Sequence, residues 1–278
     1  MGTQTDHMSE RKISGKALSI FFLLVIILSA LCEWIYCNAT DLIVILLMWI
    51  PAISAFVAAR ISLNDNDEDF SYKKQHSLLS IRKCKFKYII VAFLIPLMYL
   101  IVPYAIYWMT HPKSLSFGDA SFIYIFIYMI IAFIVSFATA TGEEIGWRGF
   151  MLPALIDRMG ISKGTTIVGM FWCVWHFPLL IWGGYMEGTP LWYKLCAFIL
   201  CIFPVGIIAA ILTMKSGSIW PAAVLHTTHN ALDQELFGAF TIGEDKMYFV
   251  SETGLLTIVC VWVIAIVLSF VYIRKDNK

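Results

Sequence analysis

Long apolar runs separated by short polar ones dominate this chain. A helix that crosses a bilayer needs about 20 mostly apolar residues. The sequence offers eight such runs, over 17–37, 42–59, 88–108, 121–140, 164–182, 192–213, 218–232 and 250–273. The seventh is short and polar, with His226, His229 and Asn230 inside it. The pattern predicts an all-α integral membrane protein, a bundle of about eight transmembrane helices forming one polytopic domain over 1–278. No internal repeat, heptad run or low-complexity tract interrupts it.

Composition points the same way. The 278 residues are 60% hydrophobic and 14% charged, with a mean hydropathy of +0.79. Soluble domains are about 45–50% apolar and about 25% charged, and one soluble core stops growing near ~250–300 residues. The surplus therefore needs lipid as its solvent. A disulfide scaffold, a disordered chain and a nucleic-acid binder are excluded by the same arithmetic, and a net charge of +1 leaves no large basic or acidic patch. The seven Cys form no CxxC pair or framework, so they are expected as reduced thiols packed in the core or against lipid.

Lys and Arg set the orientation. Arg11, Lys12 and Lys16 precede the first run, the second connection is rich in basic residues, and Arg274, Lys275 and Lys278 close the chain. Of 20 basic residues, three (Lys113, Lys194 and Lys246) fall on the opposite side. Both termini are thus expected in the cytoplasm. Glu33-Trp34-Ile35-Tyr36 follows the first run where a cleavage site would need small residues, so that run reads as an uncleaved anchor. Short connections favour a bacterial plasma membrane over the endoplasmic reticulum.

Ionisable groups at membrane depth are costly and usually face a bundle interior or a wet cavity. Three clusters qualify. In Gly142-Glu143-Glu144-Ile145-Gly146-Trp147-Arg148, Glu144 and Arg148 are four apart and share a helix face. Their pairing would make Arg148 a brace. Glu143 lies about 140° around the helix from Arg148, without that partner. Burial disfavours the charged form of a carboxylate, a condition suited to a general base or acid near neutral pH; capping a wet helix end is the plainer use of both residues. In Trp172-Cys173-Val174-Trp175-His176-Phe177-Pro178, Pro178 frees a backbone carbonyl, so His176 is either bonded locally or functional. In the seventh run, Ser218 suits an N-cap and Pro221 the first turn. His226, His229, Asn230 and Asp233 form one polar stripe, more than a helix–helix seam usually needs.

Glu-Glu-x-x-x-Arg, then aromatic-x-x-x-His, then His-x-x-x-Asn on successive polar segments resembles the CAAX protease and bacteriocin-processing family of intramembrane proteases, also called the Abi family. The matching residues are Glu143, Glu144 and Arg148, then Trp172 and His176, then His226 and Asn230. The resemblance covers about 120–235, the expected catalytic core. The family usually has Phe where Trp172 stands, and a packing role is expected to survive the change. The resemblance implies hydrolysis of a peptide bond in or near the membrane, in a peptide or protein substrate that is lipidated in some members. Glu143 and His176 would activate water, His226 and Asn230 would stabilise the oxyanion, and Glu144 and Arg148 would brace the first helix. The polar faces could line a cavity open to the cytoplasm.

Depth creates a tension. From Lys163 to His176 is about 20 Å of helix, whereas Glu143 falls near the cytoplasmic end of its run. The first cluster is therefore expected below the membrane surface, on a helix that stays deep through Glu143. No cofactor is expected. The nearest rival is zinc held by Glu143, His176, His226 and His229, although the chain lacks a His-Glu-x-x-His helix. A transporter using the same charges as a proton or ion relay is the rival of a different class.

Overall fold

The computed structural model describes residues 13–38, 43–65, 72–118 and 121–276. Arg11, Lys12 and Lys278, counted above for orientation, lie outside them. The elements are α1 (Gly15–Asn38), α2 (Ile43–Asp65), the short α3 (Tyr72–Leu78), α4 (Phe86–Thr110), α5 (Phe122–Glu144), a π-helical segment Ile145–Met151 and α6 (Leu152–Trp175). There follow α7 (Phe177–Ile181), α8 (Leu191–Ser216), α9 (Trp220–Asn230), a second π-helical segment Ala231–Phe237, α10 (Lys246–Phe249) and α11 (Leu255–Asp276). Among the described residues there is no strand, only the isolated bridge Leu115–Thr241. Cys32, Cys84, Cys173, Cys196, Cys201 and Cys260 are free thiols.

Among the described residues, 6 helical stretches are long and apolar enough to cross a membrane. Two physical causes separate that number from the eight runs of the sequence. First, the fourth and fifth runs are joined in one helical stretch, Phe122–Ile181, of 60 residues. It turns at Gly160, whose φ of 82° and ψ of 166° are open to a residue without a Cβ. Second, the seventh run folds as α9 and the second π-helical segment, where His226, His229, Asn230 and Asp233 lower the hydropathy.

The turn brings Glu143 and His176 level with each other. Helix continues without a break from Phe122 past Glu143 and on through Met151, so Glu143 is interior to it. Glu143 precedes Gly160, and His176 follows it, by nearly equal lengths of helix, each about 25 Å. The two arms therefore run side by side at one depth. Trp147 meets Trp175 with ring centroids 5.6 Å apart and Phe171 at 5.7 Å. α6 stops at Trp175, because the following Pro178 has no N–H to continue the ladder; the His176 N–H turns back to the Cys173 carbonyl at 3.2 Å.

α8 is the most enclosed long helix, packed against α6, α9 and α11, while α9 also contacts α4 and α5. The outer faces stay apolar and exposed, as in Phe122, Ile123, Phe126, Ile130 and Ile134 of α5, which suits hydrocarbon. Ser218 Oγ accepts the Trp220 N–H at 3.3 Å and donates to the Arg82 carbonyl at 2.6 Å, tying the start of α9 to the chain before α4, while the N-cap position falls on Ile219 rather than on the expected Ser218.

Candidate active site

Both polar motifs sit at the C-terminal end of an α-helix and run directly into a π-helical segment: Glu143–Glu144 before Ile145–Met151, and His226–Asn230 before Ala231–Phe237. A π segment widens the helix and shifts the facing of side chains, which is why such segments recur at functional sites. The first is held against α2 by Gly146, where an added Cβ would lie 2.4 Å from the Pro51 Cβ and 2.7 Å from its carbonyl carbon.

Glu144 and Arg148 pair across one turn at 2.8 Å, both fully buried. The same Glu144 oxygen, Oε1, lies 3.1 Å from His226 Nδ1. With the ring bonded through Nδ1, the Nε2 of His226 is left for the cavity. The Arg148 guanidinium also stacks 4.3 Å from the Trp172 ring, a cation–π contact that helps a charge survive away from water.

Glu143 has no bond to Arg148. Its Oε2 accepts the indole N–H of Trp147 at 3.1 Å and that of Trp172 at 2.7 Å, and its Oε1 is buried without a partner among the described residues. His176 Nδ1 lies 2.8 Å from the Trp172 carbonyl. A carbonyl can only accept, so Nδ1 carries the proton and Nε2 is the free acceptor of the neutral ring.

These residues line one cavity of about 380 Å³. Glu143, Trp172, His176, His226 and Asn230 contribute to its wall, with Leu47 and Met48 of α2 and Val135 and Thr139 of α5 opposite or beside them. The three motifs thus converge, and Trp172 is a hydrogen-bond donor as well as packing.

Asp233 leaves that wall, whereas His229 and Glu252 line the same cavity and bond to each other. His229 lies 3.0 Å from Glu252 through Nε2 and 3.0 Å from the Tyr99 hydroxyl through Nδ1. Asp233 accepts Tyr104 and Ser251 hydroxyls, each at 2.9 Å. Glu252 also accepts the Tyr185 hydroxyl at 2.6 Å and the Gln234 amide at 3.1 Å. Burial pushes the Glu252 carboxyl up, but the hydrogen bond and charge of His229, with the Tyr185 hydroxyl, outweigh it and hold it below its ordinary value. Among the described residues, the group whose donor atoms gather closely enough for a metal, within 4.8 Å of one another, is His229, Asp233 and Glu252. Every one of those donor atoms already has a protein partner, so the group fits a closed ion-pair network rather than an open metal site.

Trp147, Tyr185 and Glu252 did not emerge from the sequence. Trp147 was within reach, because it stands four after Glu143, the spacing of neighbours on a helix face. Glu252 carries no such signal: it is one acid in Val250-Ser251-Glu252-Thr253 before an apolar helix.

Residues 120–232 match the profile of the Rce1-like family, described as type II CAAX prenyl endopeptidase Rce1-like. The chain is also similar to CAAX prenyl protease 2 of Methanococcus maripaludis, at 32% identity over 183 residues, covering 61% of this chain and 64% of that protein. The chain thus spans a little under two thirds of that relative's length. The matched segment contains Glu143, Glu144, Arg148, Trp172, His176, His226 and Asn230 and ends before Glu252. Residues 120–232 of the chain are thus similar to the Rce1-like type II CAAX prenyl endopeptidases, and all three polar motifs that meet in the cavity lie within that segment.

Proposed function

We propose that this chain is an intramembrane endopeptidase that cleaves a membrane-associated peptide or protein, with prenylated C-terminal peptides as the first substrate class to test. The observation that carries the reading is the meeting of Glu143, His176, His226 and Asn230 on one cavity, with Glu143 Oε1 unpartnered. Glu143 takes a proton from water as its oxygen bonds to the scissile carbonyl carbon. The carbonyl π electrons move to oxygen, where the Asn230 amide donates to the oxyanion, as does Nε2–H of His226 when its ring is protonated and Nδ1–H is held by Glu144. Glu143 returns the proton to the amide nitrogen as the C–N bond breaks and the carbonyl reforms. His176 shares the water through Nε2 and, when protonated, adds positive charge beside the oxyanion.

The name of the Methanococcus relative supports the prenylated class. Zinc on Glu143, His176, His226 and His229 is the weaker alternative, since the close donor group formed by His229 is with Asp233 and Glu252. The bias of basic residues supports cytoplasmic termini and a cavity reached from the cytoplasmic face of a plasma membrane.

The test is cleavage by the purified protein of farnesylated tetrapeptide-tailed peptides and of unlipidated peptide precursors, read by mass spectrometry. Products from wild type, absent with Glu143→Ala and His176→Ala, are expected. Ion flux in proteoliposomes without any cleavage would overturn the reading.

A further inference from the structure

Trp172 touches each part of the site. Its indole N–H lies 2.7 Å from Glu143 Oε2, and its carbonyl accepts His176 Nδ1–H at 2.8 Å. Its ring stacks under Arg148 at 4.3 Å and meets the His226 ring edge-on at 5.2 Å. A second indole, Trp147, bonds the same Glu143 oxygen at 3.1 Å.

The two oxygens of a carboxylate are chemically equal until their surroundings distinguish them. Here Oε2 carries two N–H bonds, while Oε1 has none among the described residues. Donors to one oxygen commit its lone pairs and draw charge toward it, so an incoming proton goes to the other. They also fix the plane of the carboxylate, because Trp147 rides on the same helix and Trp172 on the arm returning from Gly160. The Trp172 backbone meanwhile fixes the tautomer of His176. Phe at 172 would keep the ring contacts with Arg148 and His226, but it has no N–H to give.

We propose that Trp172, assisted by Trp147, is a positioning residue that assigns the two Glu143 oxygens: Oε2 is held by the indoles, and Oε1 is the proton acceptor for the attacking water. The indole N–H of Trp172, rather than its bulk, is what the reaction uses. This rests on the proteolytic reading above and deepens it.

The experiment uses the full chain in detergent or proteoliposomes, with Trp172→Phe, Trp147→Phe, the double substitution, and 3-benzothienylalanine placed at 172. The benzothienyl ring keeps the shape of indole and lacks only the N–H, so it remains informative if Trp172→Phe folds poorly. Two readouts are taken. On the cleaved peptide, the Trp172 variants should lower kcat about tenfold to a hundredfold, as expected for a lost bond to a charged group, with KM within twofold. In infrared difference spectra, the carboxylate stretch assigned to Glu143 by its loss in Glu143→Gln should shift in the Trp172 variants and further in the double substitution. Wild-type kcat with either 172 replacement overturns the proposal, as does an unshifted band. If wild type cleaves no peptide, the proteolytic reading fails, and the infrared band still decides whether the indoles hold Oε2.

Discussion

Glu144 Oε1 joins two helices, standing 2.8 Å from Arg148 Nη1 on its own helix and 3.1 Å from His226 Nδ1 on α9. One carboxylate oxygen thereby couples Arg148 to the His226 side of the cavity. Removing one partner of a buried pair leaves the other charge uncompensated, at a cost of about 3–5 kcal/mol. Arg148→Ala should lower the thermal unfolding midpoint in detergent accordingly. Arg148→Lys should recover little, because an ammonium cannot pair and stack on Trp172 with the planar geometry of guanidinium. An unchanged midpoint in Arg148→Ala would remove the brace from the argument.

Asn230 is the second oxyanion donor proposed above. It lines the cavity beside His226, and loss of one oxyanion donor typically costs about 10²–10³ in kcat. Asn230→Ala should show that drop with KM little altered and the unfolding midpoint retained. His226→Ala should lose activity and also stability, since it gives up the Glu144 bond. Equal stability of the two variants would contradict the difference in their contacts.

Gly146 sets how closely the helix that carries Glu143 approaches α2. A Cβ there would press on the Pro51 backbone and ring at 2.4–2.8 Å, and no flexible side chain is available to yield. Gly146→Ala should cost about 1–3 kcal/mol by overpacking and displace Trp147 from Glu143, lowering kcat as well. Unaltered unfolding and turnover would show that the helices separate freely at this point.

Glu252 gives a pH dependence of stability. Its folded-state pKa is lowered below the ordinary value of 4.5, so the native state binds fewer protons than the unfolded state in that window. Its contribution is complete above the ordinary value and is lost as pH falls through the folded one. His229, Asp233, Tyr185 and Gln234 face or neighbour the carboxyl. Unfolding midpoints measured from pH 7 to pH 3 should fall less steeply in Glu252→Gln than in wild type, from a lower starting value. Parallel curves would assign the acid loss to other groups.

Chelation separates the two mechanisms. With water activated by Glu143 and His176, cleavage should persist in 1,10-phenanthroline at levels that strip zinc, and added zinc should not raise it. Loss of activity that zinc restores would reverse the order of the readings.

Apolar run length by itself determined that this chain needs lipid, and helical spacing determined that Glu144 meets Arg148 four residues on. The order of three polar motifs was legible too, because each is local in sequence. The seventh run could be marked as unusual from its His and Asn content, though its π-helical continuation could not be read. Period 3.6 names the face a residue occupies and says nothing of what stands across from it. That is why Trp172 looked like packing from its sequence position, yet it reaches Glu143 from the other arm of a turn set by Gly160. For the same reason the partners of the stripe were not legible: His226, His229 and Asn230 share the cavity wall, yet His226 meets Glu144 and His229 meets Glu252 from the connection before α11, while Asp233 turns away. Depth, partner and the free oxygen of Glu143 were decided by tertiary structure, since each depends on which helices the chain brings together and how closely their backbones approach.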